Sequence, residues 1–273
     1  MSRMTEFVNK KRGLLFIPFI TAGDPTEDAT IELAAMLQSA GASALELGIP
    51  YSDPLADGPV IQKASQRALS QGMTLVRALR LCGRMREQGV KIPIIIFTYI
   101  NPLIQLTEKT FFQLAAENAI DGLLVPDLPF EESRQLAQEC SSHEISLISL
   151  VAPTTSNKRL EAIANAAQGF LYCVSSLGVT GVRKSFHPSV LKFLDRVRAS
   201  ADLPIAVGFG ISTKAQVDAL RNHADGFIVG SAIVSQIAER AGRLSDSSSR
   251  TDAVAEIKHV LEENLLGQKV GNS

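Results

Sequence analysis

Apolar and polar positions along the chain alternate between two rhythms. Short runs with no polar face read as strands buried on both sides: Leu14–Ile20, Ala44–Gly48, Pro93–Tyr99, Gly122–Val125, Ile145–Val151, Gly169–Val174, Pro204–Gly208 and Gly226–Val229. Between them lie stretches of helical period, near 27–39, 74–88, 107–118, 131–142, 156–166, 187–199 and 213–221, with a last one near 252–265. Such an alternation predicts a parallel sheet covered on its outer side. Eight strand–helix units in a chain of this length predict the α/β class, as a single-domain (β/α)8 TIM barrel over residues 1–273. A doubly wound open sheet has the same alternation, because periodicity does not prove closure. Ala40-Gly41-Ala42 and Ala224-Asp225-Gly226 mark helix-to-strand turns, and no domain linker interrupts the pattern. The run Ser245-Asp246-Ser247-Ser248-Ser249 predicts a mobile surface loop before the last helix.

Composition adds exclusions. The chain has 273 residues, 45% of them hydrophobic, with 27 basic and 28 acidic side chains and a net charge of −1. No basic run stands out, which argues against nucleic acid or an anionic membrane as the main partner. Cys82, Cys140 and Cys173 are odd in number and widely spaced, unlike a disulfide framework or a zinc site, so a reducing cytoplasm is expected. Lys10-Lys11-Arg12 before Leu14–Ile20 has the outline of a signal peptide, but Pro18 interrupts the run and Asp24-Pro25 stands where small cleavage-site residues belong. The run is also too short to span a bilayer.

The chemistry begins at Glu46. It lies between Leu45 and Leu47 at the end of the second predicted strand, where partial desolvation disfavours the charged carboxylate. A pKa raised in that way suits proton transfer. The loop that follows holds Pro50, Pro54 and Pro59 together with Asp53 and Asp57. An alternative reading makes the two aspartates turn formers and Glu46 a satisfied edge residue. In a barrel, chemistry collects at the C-terminal ends of the strands. Phe19, Thr21 and Asp24 end the first strand, Tyr99 and Asn101 the third, Asp127 the fourth and Tyr172 the sixth.

Glycine loops supply a second element at the same end. Gly178-Val179-Thr180-Gly181 follows the sixth strand, Gly208-Phe209-Gly210-Ile211-Ser212 the seventh and Gly230-Ser231-Ala232 the eighth. Backbone N–H groups there can approach an anion closely, and a helix beginning at Ser231 would aim its free amides at the same spot. These loops predict a phosphate site. Residues 178–187 are numerous enough to serve as a lid.

Taken together, Phe19–Pro25, Leu45–Pro59, Gly178–Gly181, Gly208–Gly210 and Gly230-Ser231 resemble the tryptophan synthase alpha chain family, in the right order along nearly the whole chain. The resemblance implies a carbon–carbon lyase that cleaves indole-3-glycerol phosphate to indole and glyceraldehyde 3-phosphate. It implies Glu46 as general acid–base and Asp57 as the fixed anion beside the indole nitrogen. Phe19, Thr21, Tyr99, Leu124 and Tyr172 are then expected around the substrate, and Gly181, Phe209, Gly210, Gly230 and Ser231 around its phosphate. No metal and no organic cofactor are implied. The expected partner is a tryptophan synthase beta chain in an alpha2-beta2 tetramer, with Asp53, Pro54 and Thr180 in the loops that meet it.

Overall fold

Nine strand segments form the sheet: β1 (Leu15–Thr21), β2 (Leu45–Gly48), β3 (Ile94–Phe97), β4 (Gly122–Leu124), β5 (Ser146–Leu147), β6 (Ser149–Val151), β7 (Leu171–Val174), β8 (Ile205–Gly208) and β9 (Gly226–Val229). They belong to a computed structural model that describes Met4 and residues 13–174, 188–208 and 210–267. All pairings are parallel, in the order β5-β4-β3-β2-β1-β9-β8-β7-β6. The two ends of that order are consecutive pieces of one strand on either side of Ile148, so the sheet closes on itself as an eight-stranded barrel. Closure excludes the open doubly wound sheet.

The break at Ile148 corrects the continuous fifth strand expected over Ile145–Val151. β5 pairs with β4 through Gly122↔Ser146 and Leu123↔Leu147, whereas β6 pairs with β7 through Ser149↔Leu171 to Val151↔Cys173. On the β7 side of β5, the Leu147 amide donates instead to the Gln168 side chain at 2.9 Å. A side chain thus stands where a strand would.

The period of two along each strand divides the core. Phe16, Ile20, Leu45, Leu47, Ile94 and Ile96 face outward into one large cluster with the helices. Leu15, Ile17, Ala44, Ile95, Leu124, Ile148, Tyr172, Ala206 and Ile228 fill the barrel interior together with Met4. Threonine and serine caps fix several helix starts: Thr26, Thr74, Thr107, Ser156 and Thr213 each accept a backbone amide of the first turn.

Helices Pro59–Ser70 and Ile100–Leu106 do not show in the periodicity of the sequence. The first begins with Pro59 at its first position, a start signal masked by the loop prolines before it. The serine run is no loose loop. Ser245 ends a short helix, Asp246 accepts from the Ser248 amide at 3.0 Å, and Ser249 immediately precedes the helix Arg250–Leu261. Among the described residues, no helix is long and apolar enough to cross a membrane.

Candidate active site

Strand parity places Glu46. Ala44 lies in the barrel interior, and two residues on Glu46 points the same way, with Phe19 and Ile95 as its register partners on β1 and β3. It is therefore flanked by strands on both sides rather than lying at an edge. Glu46 is 1% exposed, and its Oε1 has no hydrogen-bond partner. Burial among apolar side chains pushes its carboxyl up to about 8. The hydroxyl of Thr21, one layer above Phe19 on the same face of β1, is also buried and without a partner. Two orphaned polar atoms inside the barrel mouth each cost about 1–3 kcal/mol unless a ligand satisfies them.

Asp57 is held by its surroundings on both its backbone and its side chain. Its carbonyl accepts from Gln62 Nε2 at 2.8 Å, and its carboxyl accepts from the Tyr99 hydroxyl. That hydroxyl in turn accepts from the Ala56 amide at 2.9 Å. Burial raises the Asp57 pKa, and the Tyr99 bond opposes the rise. Tyr99 thus buttresses the loop acid, a role its sequence position did not suggest. Tyr51 packs against it with ring centroids 5.1 Å apart, and the Tyr51 hydroxyl accepts from Asn101 at 3.1 Å. The loops after β2 and β3 are cross-tied by these contacts.

The loop after β1 is anchored as well. Asp24, 1% exposed, accepts two bonds from Arg67 at 2.7 and 2.8 Å. Burial nevertheless outweighs the guanidinium and leaves the Asp24 pKa raised.

Aromatic rings form the walls. Phe19 meets Phe97 edge-on at 5.6 Å and packs with Ala64 and Val234. A Cβ at Gly48 would collide with the Phe19 ring, and one at Gly208 would collide with the Tyr172 ring and hydroxyl. Both glycines close their strands, so the missing side chains make room for the two rings. Tyr172 is buried, and its pKa is raised first by that burial and then by the charges of Glu46 and Asp57. One ring therefore senses both carboxylates. Leu124 is fully buried in the interior cluster that also holds Tyr172.

At the glycine loops, Gly230 precedes the helix Ser231–Glu239 and lies beside Phe19, within 3.6 Å of where its Cβ would stand. No side chain caps that helix; the Gly230 carbonyl takes the Val234 amide at 3.0 Å, and the first amides are left to other partners. Gly210 has φ +75° and lies in the turn after β8. Thr180, Gly181 and Phe209 lie outside the described residues. Asp53 is exposed and accepts from its neighbour Ser52 at 2.5 Å, while Pro54 is half-buried.

A family model for the tryptophan synthase alpha chain matches residues 5–264. The chain belongs to that family. A tryptophan synthase alpha chain from Shouchella clausii is 58% identical over 255 residues, covering 93% of this chain and 94% of the relative. The one from Bacillus subtilis is 58% identical over 244 residues, covering 89% and 91%. Among solved structures, a chain of the tryptophan synthase α2β2 complex from Pyrococcus furiosus superposes with a TM-score of 0.84 at 34% identity, covering 93% of this chain and 98% of its own. Tryptophan synthase subunit alpha from Legionella pneumophila gives 0.83 at 34% identity, covering 96% and 99%.

Of the residues expected from the sequence, the structure places Glu46, Asp57, Phe19, Thr21, Tyr99, Leu124, Tyr172, Gly210, Gly230 and Ser231 on the barrel strands or in the segments that follow their C-terminal ends. Phe97 and Gln62 were missed, and Gly48 and Gly208, though within the motifs read from the sequence, were given no part in seating the Phe19 and Tyr172 rings. Strand parity alone could have found Gly48 and Phe97. Gln62 and Gly208 act through contacts that no spacing encodes.

Proposed function

We propose that the chain is the alpha subunit of a tryptophan synthase, cleaving indole-3-glycerol phosphate with Glu46 as its proton carrier and Asp57 as its fixed anion. The supporting observation is a carboxyl buried inside the barrel mouth, with one oxygen unpartnered and its pKa raised to about 8. At neutral pH such a group starts protonated. It gives its proton to indole C3, which leaves positive charge on the ring nitrogen. A fixed anion lowers the energy of that charge, and Asp57 is held for the task by Tyr99 and Gln62.

The Glu46 carboxylate then takes the proton of the glycerol hydroxyl beside the breaking bond. The O–H electrons form the aldehyde carbonyl, and the electrons of the carbon–carbon bond return to the ring. Glu46 ends the cycle protonated, with no net proton gained or lost. Phe19, Tyr172 and Leu124 supply apolar walls for the indole, and the Thr21 hydroxyl is available to the substrate's polar chain. The uncapped helix start at Ser231, with Gly230 and Gly210, suits the phosphate. Thr180, Gly181 and Phe209 complete this reading from the sequence.

The partner is a beta chain, as in the α2β2 complex to which this fold is similar. Leu55 and Ile104 are the large hydrophobics most exposed among the described residues, at 87% and 64%, and both follow strand ends on the rim of the same mouth. With Asp53 and Pro54, they form the face offered to that partner. The near-neutral charge, buried thiols and biosynthetic reaction fit a cytoplasmic, single-domain enzyme.

Indole release by the purified chain, alone and with a beta chain, tests the assignment. Wild-type turnover should be slow alone, rise strongly with the partner, and vanish in Glu46→Gln. Equal turnover by wild type and the variant would remove Glu46 from the mechanism.

A further inference from the structure

β8 ends at Gly208, and the chain turns through Gly210–Thr213 into the helix Lys214–Leu220. Thr213 caps this helix, and Gln216 completes a capping box by reaching back to the cap amide. The Gln216 side chain does more than the box requires. Its Oε1 accepts from the Ser212 amide at 2.9 Å as well as from the Thr213 amide at 3.1 Å. Its Nε2 donates to the Gly210 carbonyl at 3.0 Å. One planar amide, 5% exposed, thus ties down three backbone groups of a single turn.

The composition of that amide matters. Glutamine offers an acceptor and a donor at a fixed angle, glutamate offers acceptors only, and methionine offers neither. Holding the Gly210 carbonyl fixes the peptide plane that follows a residue already at φ +75°. The same plane carries the Ile211 N–H, and the Gly210 N–H hangs from the Cα that anchors it; neither donates to a described residue.

We propose that Gln216 is a positioning residue for the substrate's phosphate, setting the turn after β8 in the geometry that presents its amides to the anion. The proposal rests on the phosphate reading of the glycine loops given above. Gln216 itself touches no reacting atom; it acts through Gly210.

The test compares Gln216→Glu and Gln216→Met with wild type in the full chain, assayed with the beta chain. Steady-state kinetics are measured with indole-3-glycerol phosphate and with its dephosphorylated counterpart, together with inhibition by inorganic phosphate. Both variants should lose about tenfold in kcat/KM on the phosphorylated substrate, through KM, and weaken phosphate inhibition by a similar factor. The dephosphorylated substrate should change less than twofold. Because methionine is uncharged, a loss shared by both variants is not carboxylate repulsion. If Gln216→Met fails to fold, Gln216→Asn takes its place, uncharged and too short to span from the Ser212 and Thr213 amides to the Gly210 carbonyl.

Equal losses on both substrates would make Gln216 a plain structural residue and overturn the proposal, as would no change on either. A wild type that does not distinguish the two substrates would instead overturn the phosphate reading itself.

Discussion

Below pH 4.5 Glu46 carries its proton whether the chain is folded or not. Between 4.5 and about 8 the unfolded chain releases that proton while the folded chain keeps it. The native state then binds one proton more, so stability falls as pH rises through this window, by up to about 1.4 kcal/mol per unit. Above about 8 the loss is complete, because the buried carboxylate is charged in the native state too. Glu46→Gln removes the titrating group and should flatten this slope. Urea unfolding at a series of pH values should find the variant more stable than wild type at pH 8, by a few kcal/mol in order of magnitude. Parallel stability curves for the two proteins would show that Glu46 titrates as an ordinary carboxyl.

Glu46 was legible in the sequence because an acid between two leucines at a strand end can hardly escape burial. Asp57 was legible as an acid in a proline-stiffened loop, but its supports were not. Tyr99 and Gln62 reach it from 42 and 5 positions away, and only folding brings the Tyr99 hydroxyl between Ala56 and Asp57.

Among the elements, the strands were read within one or two residues, since a short run without a polar face is stable only where both of its faces are covered. Helices preceded by a capping threonine or serine were read nearly as well. The helix Pro59–Ser70 was not, though it carries more of the site than any other helix. Its Val60, Ile61 and Ala64 pack around Phe19, its Gln62 pins Asp57, and its Arg67 binds Asp24. Arg67 is the joint between the loop after β1 and this helix. Arg67→Ala would leave Asp24 buried without its counter-charge and should cost about 3 kcal/mol in equilibrium unfolding at neutral pH. The deficit should shrink on acidification as the orphaned carboxyl takes up a proton. Arg67→Lys should recover only part of the loss, because an ammonium cannot make the bidentate contact. A loss under about 0.5 kcal/mol for Arg67→Ala would place the joint elsewhere.

For the whole molecule, the barrel sets the order of the chemistry. Phe19, Glu46, Tyr99, Tyr172 and Gly230 are spread over more than 200 positions, yet parallel strands bring all of them to one end. This arrangement followed from the alternation of strands and helices, and so did the expectation that polar groups would collect there. The break in the ring did not follow, because Ile145–Val151 reads as one uninterrupted strand and its change of partner at Ile148 leaves no mark in the pattern.

That break has a consequence in time. Amides in an unbroken ring exchange with solvent deuterium only when the whole barrel opens, whereas a seam can open by itself. Leu147 depends on the side chain of Gln168, and Gln168→Ala removes its acceptor. Deuterium should then enter at Leu147 and its neighbours in β5 and β6 well before it reaches Leu15–Thr21 on the opposite wall. Uniform acceleration around the ring would mean that the seam and the rest of the barrel open together.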